Sequence, residues 1–205
     1  MIKYLSEVIT LRLLKDFYDT DALTLSKKLL GKVLVRNDNG VITKGIICET
    51  EAYIGAIDKA SHAYGNRRTE RTEPLYGPSG IIYVYFIYGM YNCFNIISGK
   101  ENEAEGVLIR AVTPLEGQDV MCRRRYKKNL DEITKTQLKN LCNGPGKLCI
   151  AMNITRENNK EDLITSPNIY LENGEDIPED KIVKSKRIGI DYAEEAADFL
   201  WRFTY

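Results

Sequence analysis

The feature that most constrains the fold is a pair of tyrosine-rich, β-prone runs in the middle of the chain. Residues 81–88 and 91–98 are rich in β-branched and aromatic side chains, and Gly89 and Met90 separate them. Two such runs joined by a short segment that contains glycine predict an antiparallel hairpin. Residues 106–114 form a third run of this kind, so this part of the chain is predicted to be an antiparallel sheet.

The rest of the chain mixes strand-like and helix-like patterns. Leucines recur at helical spacing over residues 20–30, with Thr20 or Asp21 as the N-cap and Gly31 as the stop. Residues 54–80 show no periodicity and predict a long surface loop, which in compact domains is usually functional. The remaining predicted elements are strands at residues 32–36, 41–53, 168–172 and 184–190, a turn at 37–40, helices within 116–153 that residues 143–146 interrupt, and a short helix at 192–199.

Length and charge limit what the chain contains and what it binds. At 205 residues, with 43% hydrophobic and 28% charged residues, the sequence fits one domain over residues 1–205. Lys and Arg together number 29, and so do Asp and Glu, so the chain lacks the global positive charge of many nucleic-acid binders. Any surface that binds nucleic acid must therefore be a local patch.

Cysteine usage indicates a reducing compartment and argues against a metal site. The five cysteines are widely spaced, with no secretory signal and no apolar run long enough to cross a bilayer. The closest two are separated by six residues, and His62 is the only histidine, whereas zinc sites favour closely spaced cysteine pairs or several histidines. We therefore expect buried thiols, no metal, no membrane association and a cytoplasmic location.

Charged side chains interrupt two runs that otherwise predict buried strands. Side chains alternate along residues 46–53, so Glu49, Glu51 and Tyr53 share one side of the strand. A solvated strand face is the commoner explanation for such carboxylates. Arg110, however, lies in a run that is apolar on both faces, where a charge is costly to bury unless it is paired. A Glu–Arg pair is expected, either as a structural ion pair or as a general base that Arg110 keeps ionised.

Several further side chains are candidates for binding, each with an ordinary structural alternative. Tyr88, at the Gly89 turn, is expected to project from the sheet edge as a candidate wedge for a DNA stack. Asn95 lies in an apolar run, where it is either a satisfied core amide or a ligand-binding group. His62 is a single histidine in a predicted loop, and such a histidine is more often incidental than catalytic. Two basic clusters are candidates for phosphate contacts, the second equally a solvated helix face: Arg67, Arg68 and Arg71, and then Arg123, Arg124, Arg125, Lys127 and Lys128.

Five motifs, in order along the chain, together resemble the alkyladenine (3-methyladenine) DNA glycosylase family. They are residues 29–36 (LLGKVLVR), 49–53 (ETEAY), 83–91 (YVYFIYGMY), 108–117 (LIRAVTPLEG) and 144–149 (GPGKLC). The resemblance covers nearly the whole chain. It implies a single α+β domain with a curved antiparallel sheet, surrounding helices and a protruding β-hairpin that intercalates into DNA, and it implies no cofactor.

The resemblance also implies roles for individual residues. Glu51 matches the base that activates water, and Arg110 and the backbone carbonyl of Ile188 match the groups that help to hold that water. Tyr88 matches the intercalating wedge. The matches to base-binding positions are Tyr53, His62 and Tyr85, which sandwich or hydrogen-bond the flipped base, and Asn95, which discriminates against the exocyclic amine of guanine. The candidates for contacts to the DNA backbone are Arg67, Arg68, Arg71, Met90 and Tyr91.

The activity that the resemblance implies is base excision repair by a monofunctional DNA glycosylase. Such an enzyme flips alkylated or deaminated purines from duplex DNA and hydrolyses the N-glycosidic bond, which leaves an abasic site. The implied lesions are of the 3-methyladenine, 7-methylguanine, hypoxanthine and ethenoadenine class, and a monomer that meets DNA at the nucleoid is expected. Two alternatives stay open: a non-catalytic module of the same fold that binds modified bases or nucleic acid, and an enzyme acting on free nucleosides or RNA.

Overall fold

An eight-stranded antiparallel sheet, curled into a half-barrel, forms the centre of the protein, whose structure is a computed structural model describing residues 12–205. The strands are β1 (Val33–Asp38), β2 (Val41–Ile54), β3 (Ile82–Ile87), β4 (Tyr91–Ile97), β5 (Glu105–Glu116), β6 (Ile169–Glu172), β7 (Val183–Ser185) and β8 (Arg202–Thr204). Their order in the sheet is β3-β4-β5-β2-β1-β6, and β8 pairs with β2 and β7. The predicted single-domain α+β architecture is confirmed.

Of the five α-helices between residues 12 and 205, those over residues 22–28, 118–126 and 145–152 pack against this sheet and cover the main core. The five are α1 (Lys15–Tyr18), α2 (Ala22–Lys28), α3 (Gln118–Tyr126), α4 (Lys135–Lys139) and α5 (Pro145–Met152). Fully buried side chains such as Leu25 on α2, Phe94 on β4 and Leu148 on α5 belong to one continuous cluster. Burying each of these side chains stabilises the fold by roughly 1.5–3 kcal/mol. None of the helices between residues 12 and 205 has the length and apolar character that crossing a bilayer requires.

Local sequence signals explain where most elements begin and end. The side chain of Asp21 accepts a hydrogen bond from the Thr24 amide at 2.9 Å, so Asp21 rather than Thr20 caps α2. Asn39 and Gly40, both with positive φ, form the predicted turn between β1 and β2. Pro145 starts α5, which confirms that residues 143–146 interrupt the helical region.

Strand β2 changes neighbours along its length, and this places its acidic end in the site described below. Residues 41–46 pair with β1, whereas residues 49–51 pair with β8. Its register against β5 shifts between Ile47 and Glu49 and again between Glu49 and Thr50. Such bulges bend a strand and re-aim its side chains.

Three elements that the sequence predicted differ in the structure. The strand predicted at residues 184–190 ends at Ser185, because Arg187 turns inward to a buried partner instead of continuing the ladder. The helix predicted at 192–199 is a 3₁₀ helix, Asp191–Asp198, that Glu194 interrupts with a positive φ. The segment 54–80 is not merely a surface loop, because Asp58, Ala63 and Leu75 are buried within it.

The thiol prediction agrees with the structure. All five cysteines are free; Cys48 is half-buried and the other four are buried. Across residues 12–205, His, Cys, Asp and Glu side chains form no group of three or more that could hold a metal ion.

Candidate active site

A cleft of about 560 Å³ lies between the β3–β4 hairpin, the segment after β2 and the chain around residue 188. This volume is within the range of small-molecule sites, about 300–1,000 Å³. The predicted site residues that line it are Tyr53, His62, Arg71, Tyr85, Tyr88, Arg110 and Ile188. The fold therefore brings together residues that lie more than a hundred positions apart in the sequence, such as Tyr53 and Ile188.

Glu51 lies directly behind the wall of this cleft and is fully buried. Its Oε2 accepts a hydrogen bond from the Tyr53 hydroxyl at 2.8 Å. Its Oε1 accepts one from the backbone amide of Ile188 at 2.8 Å and lies 3.3 Å from Nη1 of Arg110. These three donors hold the carboxylate, which has no exposure to solvent. All three line the cleft, so Glu51 is separated from the cavity only by its own partners.

Arg110 on β5 joins the two carboxylates that the sequence analysis placed on one side of β2. Its Nε donates to Oε1 of Glu49 at 3.0 Å, and its Nη1 reaches Glu51. Glu49 also accepts a hydrogen bond from Arg202 at 2.9 Å. Burial lowers the pKa of Arg110, but the charges of Glu51 and Glu49 outweigh it and raise the pKa overall. The expected Glu–Arg pair is present, and it includes both glutamates.

The cleft has an aromatic wall, which the rings of Tyr53, His62 and Tyr85 form. The His62 and Tyr85 rings meet edge to face with centroids 4.6 Å apart, and Tyr83 lies 5.3 Å from Tyr85. Burial, reinforced by the charge of Glu51, raises the pKa of Tyr53 well above its usual value. Burial likewise raises the pKa of Tyr85 well above its usual value. Both hydroxyls therefore stay protonated at neutral pH, and the wall is uncharged.

The tautomer of His62 follows from its neighbours. Nη2 of Arg71 lies 3.4 Å from Nε2 of His62, and a guanidinium only donates, so Nε2 accepts. Nδ1 therefore carries the proton and donates to the Tyr83 hydroxyl at 3.0 Å. Burial, helped by the charge of Arg71, lowers the pKa of His62 to about 4. His62 is neutral at physiological pH and does not repel a cation in the cleft.

Asn95 on β4 is hydrogen-bonded within the sheet and also borders a cavity. Its Nδ2 donates to the backbone carbonyl of Tyr83 at 3.1 Å and to that of Cys93 at 3.4 Å, so the amide is satisfied by the sheet. It also lines a small cavity of about 30 Å³ together with Tyr53 and His62. Asn95 is thus a fixed polar group at the inner end of the aromatic wall.

The β3–β4 hairpin presents Tyr88 at its tip. Tyr88 is 77% exposed, and both it and Gly89 have positive φ, with the turn closed by the Met90 amide donating to the Ile87 carbonyl at 3.2 Å. Beyond the tip, the ring of Tyr91 packs on Gly146 of α5, where an added Cβ would lie only 2.9 Å from it. The base of the hairpin is therefore fixed against a helix while its tip projects.

The two basic clusters differ in what surrounds them. Arg71 is at the cleft, and Arg67 lines a groove of about 360 Å³ beside it, while Arg68 is engaged by Glu73. In the second cluster, Arg124 binds Asp38 at 2.6 Å and Arg125 donates to the Leu141 carbonyl at 3.2 Å. The first cluster lies beside the cleft, whereas these two arginines of the second hold the fold together.

Two residues beneath the cleft, Asp58 and Arg187, were not predicted from the sequence. Their side chains are fully buried and form an ion pair, with Nη2 of Arg187 donating to Oδ1 of Asp58 at 2.8 Å. In the sequence, Arg187 directly precedes Ile188, and Asp58 lies in a segment without periodicity. The two residues are 129 positions apart. Nothing in that spacing predicts a contact.

Comparison with known proteins identifies the family of this chain. The family model described as methylpurine-DNA glycosylase (MPG) matches residues 16–205. A Clostridium tetani protein named "Putative 3-methyladenine DNA glycosylase" is 60% identical over 193 residues, which cover 94% of this chain and 95% of that protein. A Clostridium perfringens protein of the same name is 59% identical over 194 residues, with the same coverage of both chains. The chain belongs to the methylpurine-DNA glycosylase family.

Proposed function

We propose that this protein is a monofunctional DNA glycosylase that flips alkylated or deaminated purines out of duplex DNA and hydrolyses their N-glycosidic bond. The observation that carries the proposal is Glu51, a fully buried carboxylate that Arg110, Tyr53 and Ile188 hold immediately behind an aromatic cleft. The names of the family and of the relatives supply the substrate class, led by 3-methyladenine. The proposed range extends to 7-methylguanine, hypoxanthine and ethenoadenine.

In the proposed reaction, Glu51 is the general base. It takes a proton from a water molecule, whose oxygen bonds to C1′ of the sugar as the N-glycosidic bond breaks and its electron pair leaves with the base. Arg110 and the carbonyl of Ile188 are assigned to holding that water. The contact that supports Ile188 is through its amide, which ties this part of the backbone to Glu51. Because water is the nucleophile, no Schiff base forms and the DNA strand stays intact.

The aromatic wall suits the proposed substrates. An alkylated purine such as 3-methyladenine is cationic and already a good leaving group, so it needs little acid catalysis. The faces of Tyr53 and Tyr85 favour a cation by cation–π attraction, and neutral His62 adds no opposing charge. Asn95, fixed by two backbone carbonyls, is assigned to discriminating against the exocyclic amine of guanine.

Duplex DNA is assigned to the surface around the hairpin. Tyr88 projects from its tip and borders the cleft, as expected of a wedge that fills the gap left by an extruded base. Stacking of an aromatic on a base is worth roughly 1–3 kcal/mol, which offsets part of the few kcal/mol that extrusion requires. Candidates for contacts to the DNA backbone are Arg67, Arg68, Arg71, Met90 and Tyr91.

The test is release of base from a duplex that carries one 3-methyladenine analogue, hypoxanthine or ethenoadenine, followed by alkaline scission of abasic sites. Wild-type protein is expected to yield abasic sites from at least one lesion without alkali-independent strand breaks. Glu51→Gln is expected to bind the same duplex but to release base about 10²- to 10⁴-fold more slowly. Lesion binding by wild type without release would instead support a non-catalytic module. Faster cleavage of the free modified nucleoside than of the duplex would support a nucleoside enzyme.

A further inference from the structure

We infer that Arg187, held by Asp58, is a positioning residue that fixes Glu51 and Tyr53 for base release. The inference rests on the proposed function, since it concerns how the residues of that reaction are held in position. Arg187 does not line the cleft, so its effect is through the groups that it holds. Three sets of contacts made by Arg187 support the inference.

The first set anchors the guanidinium. Both side chains of the Asp58–Arg187 pair are fully buried, and the pair is bidentate, with Nη1 facing Oδ2 and Nη2 facing Oδ1. Asp58 is itself held, because its Oδ1 also accepts the Ala60 amide at 3.0 Å. A buried bidentate pair has one geometry, so the plane of the guanidinium is fixed.

The second set of contacts joins Arg187 to β2, at the position between Glu51 and Tyr53. Nη1 of Arg187 donates to the backbone carbonyl of Ala52 at 2.9 Å, and Ala52 lies between Glu51 and Tyr53 on β2. The guanidinium also stacks on the Tyr53 ring, with Cζ 4.6 Å from the ring centroid. Arg187 therefore supports the Tyr53 ring directly and the backbone on both sides of Ala52.

The third set is the chain of Arg187 itself. The next residue, Ile188, donates its amide to Glu51 at 2.8 Å, so fixing Arg187 also fixes this donor. Nη2 of Arg187 donates to the Ala196 carbonyl at 3.1 Å, which ties the segment to the 3₁₀ helix behind it. One side chain thus joins the donor to Glu51, the strand that carries Glu51 and the ring that faces the base.

Only arginine makes this set of contacts. Its planar fork supplies five donors at fixed angles and a face that stacks on aromatic rings, whereas lysine supplies one compact charge. Arg187→Lys keeps the charge opposite Asp58 but loses the bidentate pairing and the stack. A matched control is Arg36→Lys, because Arg36 is also buried and donates to the backbone carbonyls of Asn153, Asn37 and Asn168, away from the cleft.

The experiment is single-turnover base release with enzyme in saturating excess over the best lesion duplex identified for wild type. Under these conditions, the maximal rate does not depend on the fraction of protein that is folded, so a merely structural role leaves it unchanged. We expect Arg187→Lys to lower this maximal rate by about 10- to 100-fold, while the enzyme concentration at half-saturation changes little. Arg36→Lys is expected to lower the melting temperature but to keep the wild-type maximal rate.

An unchanged maximal rate in Arg187→Lys overturns the inference. If that variant does not fold, Asp58→Asn answers the same question, because it keeps the size of the side chain and removes the charge that orients the guanidinium. A wild-type rate in Asp58→Asn then overturns the inference, and a slowed rate with normal half-saturation supports it. Failure of wild type to release any base refutes the proposed function and is seen before any variant is made.

Discussion

The arginine–carboxylate clusters around Glu51 and around Asp38 differ in what lies beside them. At the first, Arg110 binds Glu49 and Glu51, and the wall around Glu51 faces the cleft. At the second, Asp38 at the end of β1 accepts hydrogen bonds from Arg124 at 2.6 Å and Asn153 at 2.8 Å. The chemistry of the two pairs is alike, so an ion pair that is shielded from solvent does not by itself indicate a catalytic site.

The neighbours of each carboxylate make the difference. The partners of Asp38 come from α3 and from the residue that ends α5, so the pair fastens helices to the sheet. The partners of Glu51 are an aromatic ring, a backbone amide and an arginine that all border the cleft. We therefore expect substitutions around Glu51 to lower the rate of base release and equivalent substitutions around Asp38 to lower the stability of the fold.

The largest expected effect is at the two carboxylates. Glu51→Gln is expected to slow base release by about 10²- to 10⁴-fold and to change the free energy of unfolding by less than about 1 kcal/mol, because Arg110 keeps Glu49. Asp38→Asn is expected to lower the free energy of unfolding by about 1–3 kcal/mol and to keep the rate. Single-turnover kinetics and urea unfolding measure the two quantities. Loss of rate in both variants would contradict the comparison.

The next effect is at the two arginines. Arg110→Lys is expected to slow base release by about 10- to 100-fold, because lysine does not hold both glutamates in one plane. Arg124→Lys, the matched change at Asp38, is expected to lower the melting temperature alone. Both are measured with enzyme in saturating excess. A folded Arg110→Lys with the wild-type rate would show that the pair at Glu51 is structural as well.

A smaller effect is expected at the hairpin tip, which separates the two clusters. Tyr88 borders the cleft, whereas Met90 lines a groove with Arg124 and Asn153. Tyr88→Ala is expected to lower excision from a duplex by about tenfold, through the loss of base stacking. Met90→Ala is expected to have a smaller effect. Equal losses in the two variants would show that the tip acts as a whole and not through the tyrosine.

The last expected effect is on the pH dependence of stability, and it involves His62 in the cleft. The pKa of His62, which faces Tyr83, Tyr85 and Arg71, falls from 6.5 to about 4, so the unfolded chain takes up a proton that the folded protein excludes. This histidine therefore removes stability as pH falls through that interval and has no such effect above it. As pH falls from 6.5 to about 4, the melting temperature of His62→Gln should decrease less than that of wild type. Identical pH profiles for the two proteins would show that His62 titrates normally.

The sequence predicted those parts of the fold and site that local chemistry determines. The Tyr88 turn follows from two β-rich runs around Gly89, and pairing of Arg110 follows from the cost of a charge in an apolar strand. The Asp58–Arg187 pair was not predictable, because it joins two irregular segments and replaces the strand pairing that residues 186–190 suggest. Strand β8 was also missed, since three residues carry too little alternation to detect.

The backbone at the hairpin tip has a consequence for protein engineering. Tyr88 adopts a φ of 54°, a left-handed conformation that costs an L-residue other than glycine or asparagine about 1–2 kcal/mol. A laboratory selection for heat resistance alone would therefore enrich glycine or asparagine at this position and discard the aromatic ring. Under the proposed role of Tyr88, stabilising this scaffold while retaining its action on DNA requires keeping a residue that its own turn disfavours.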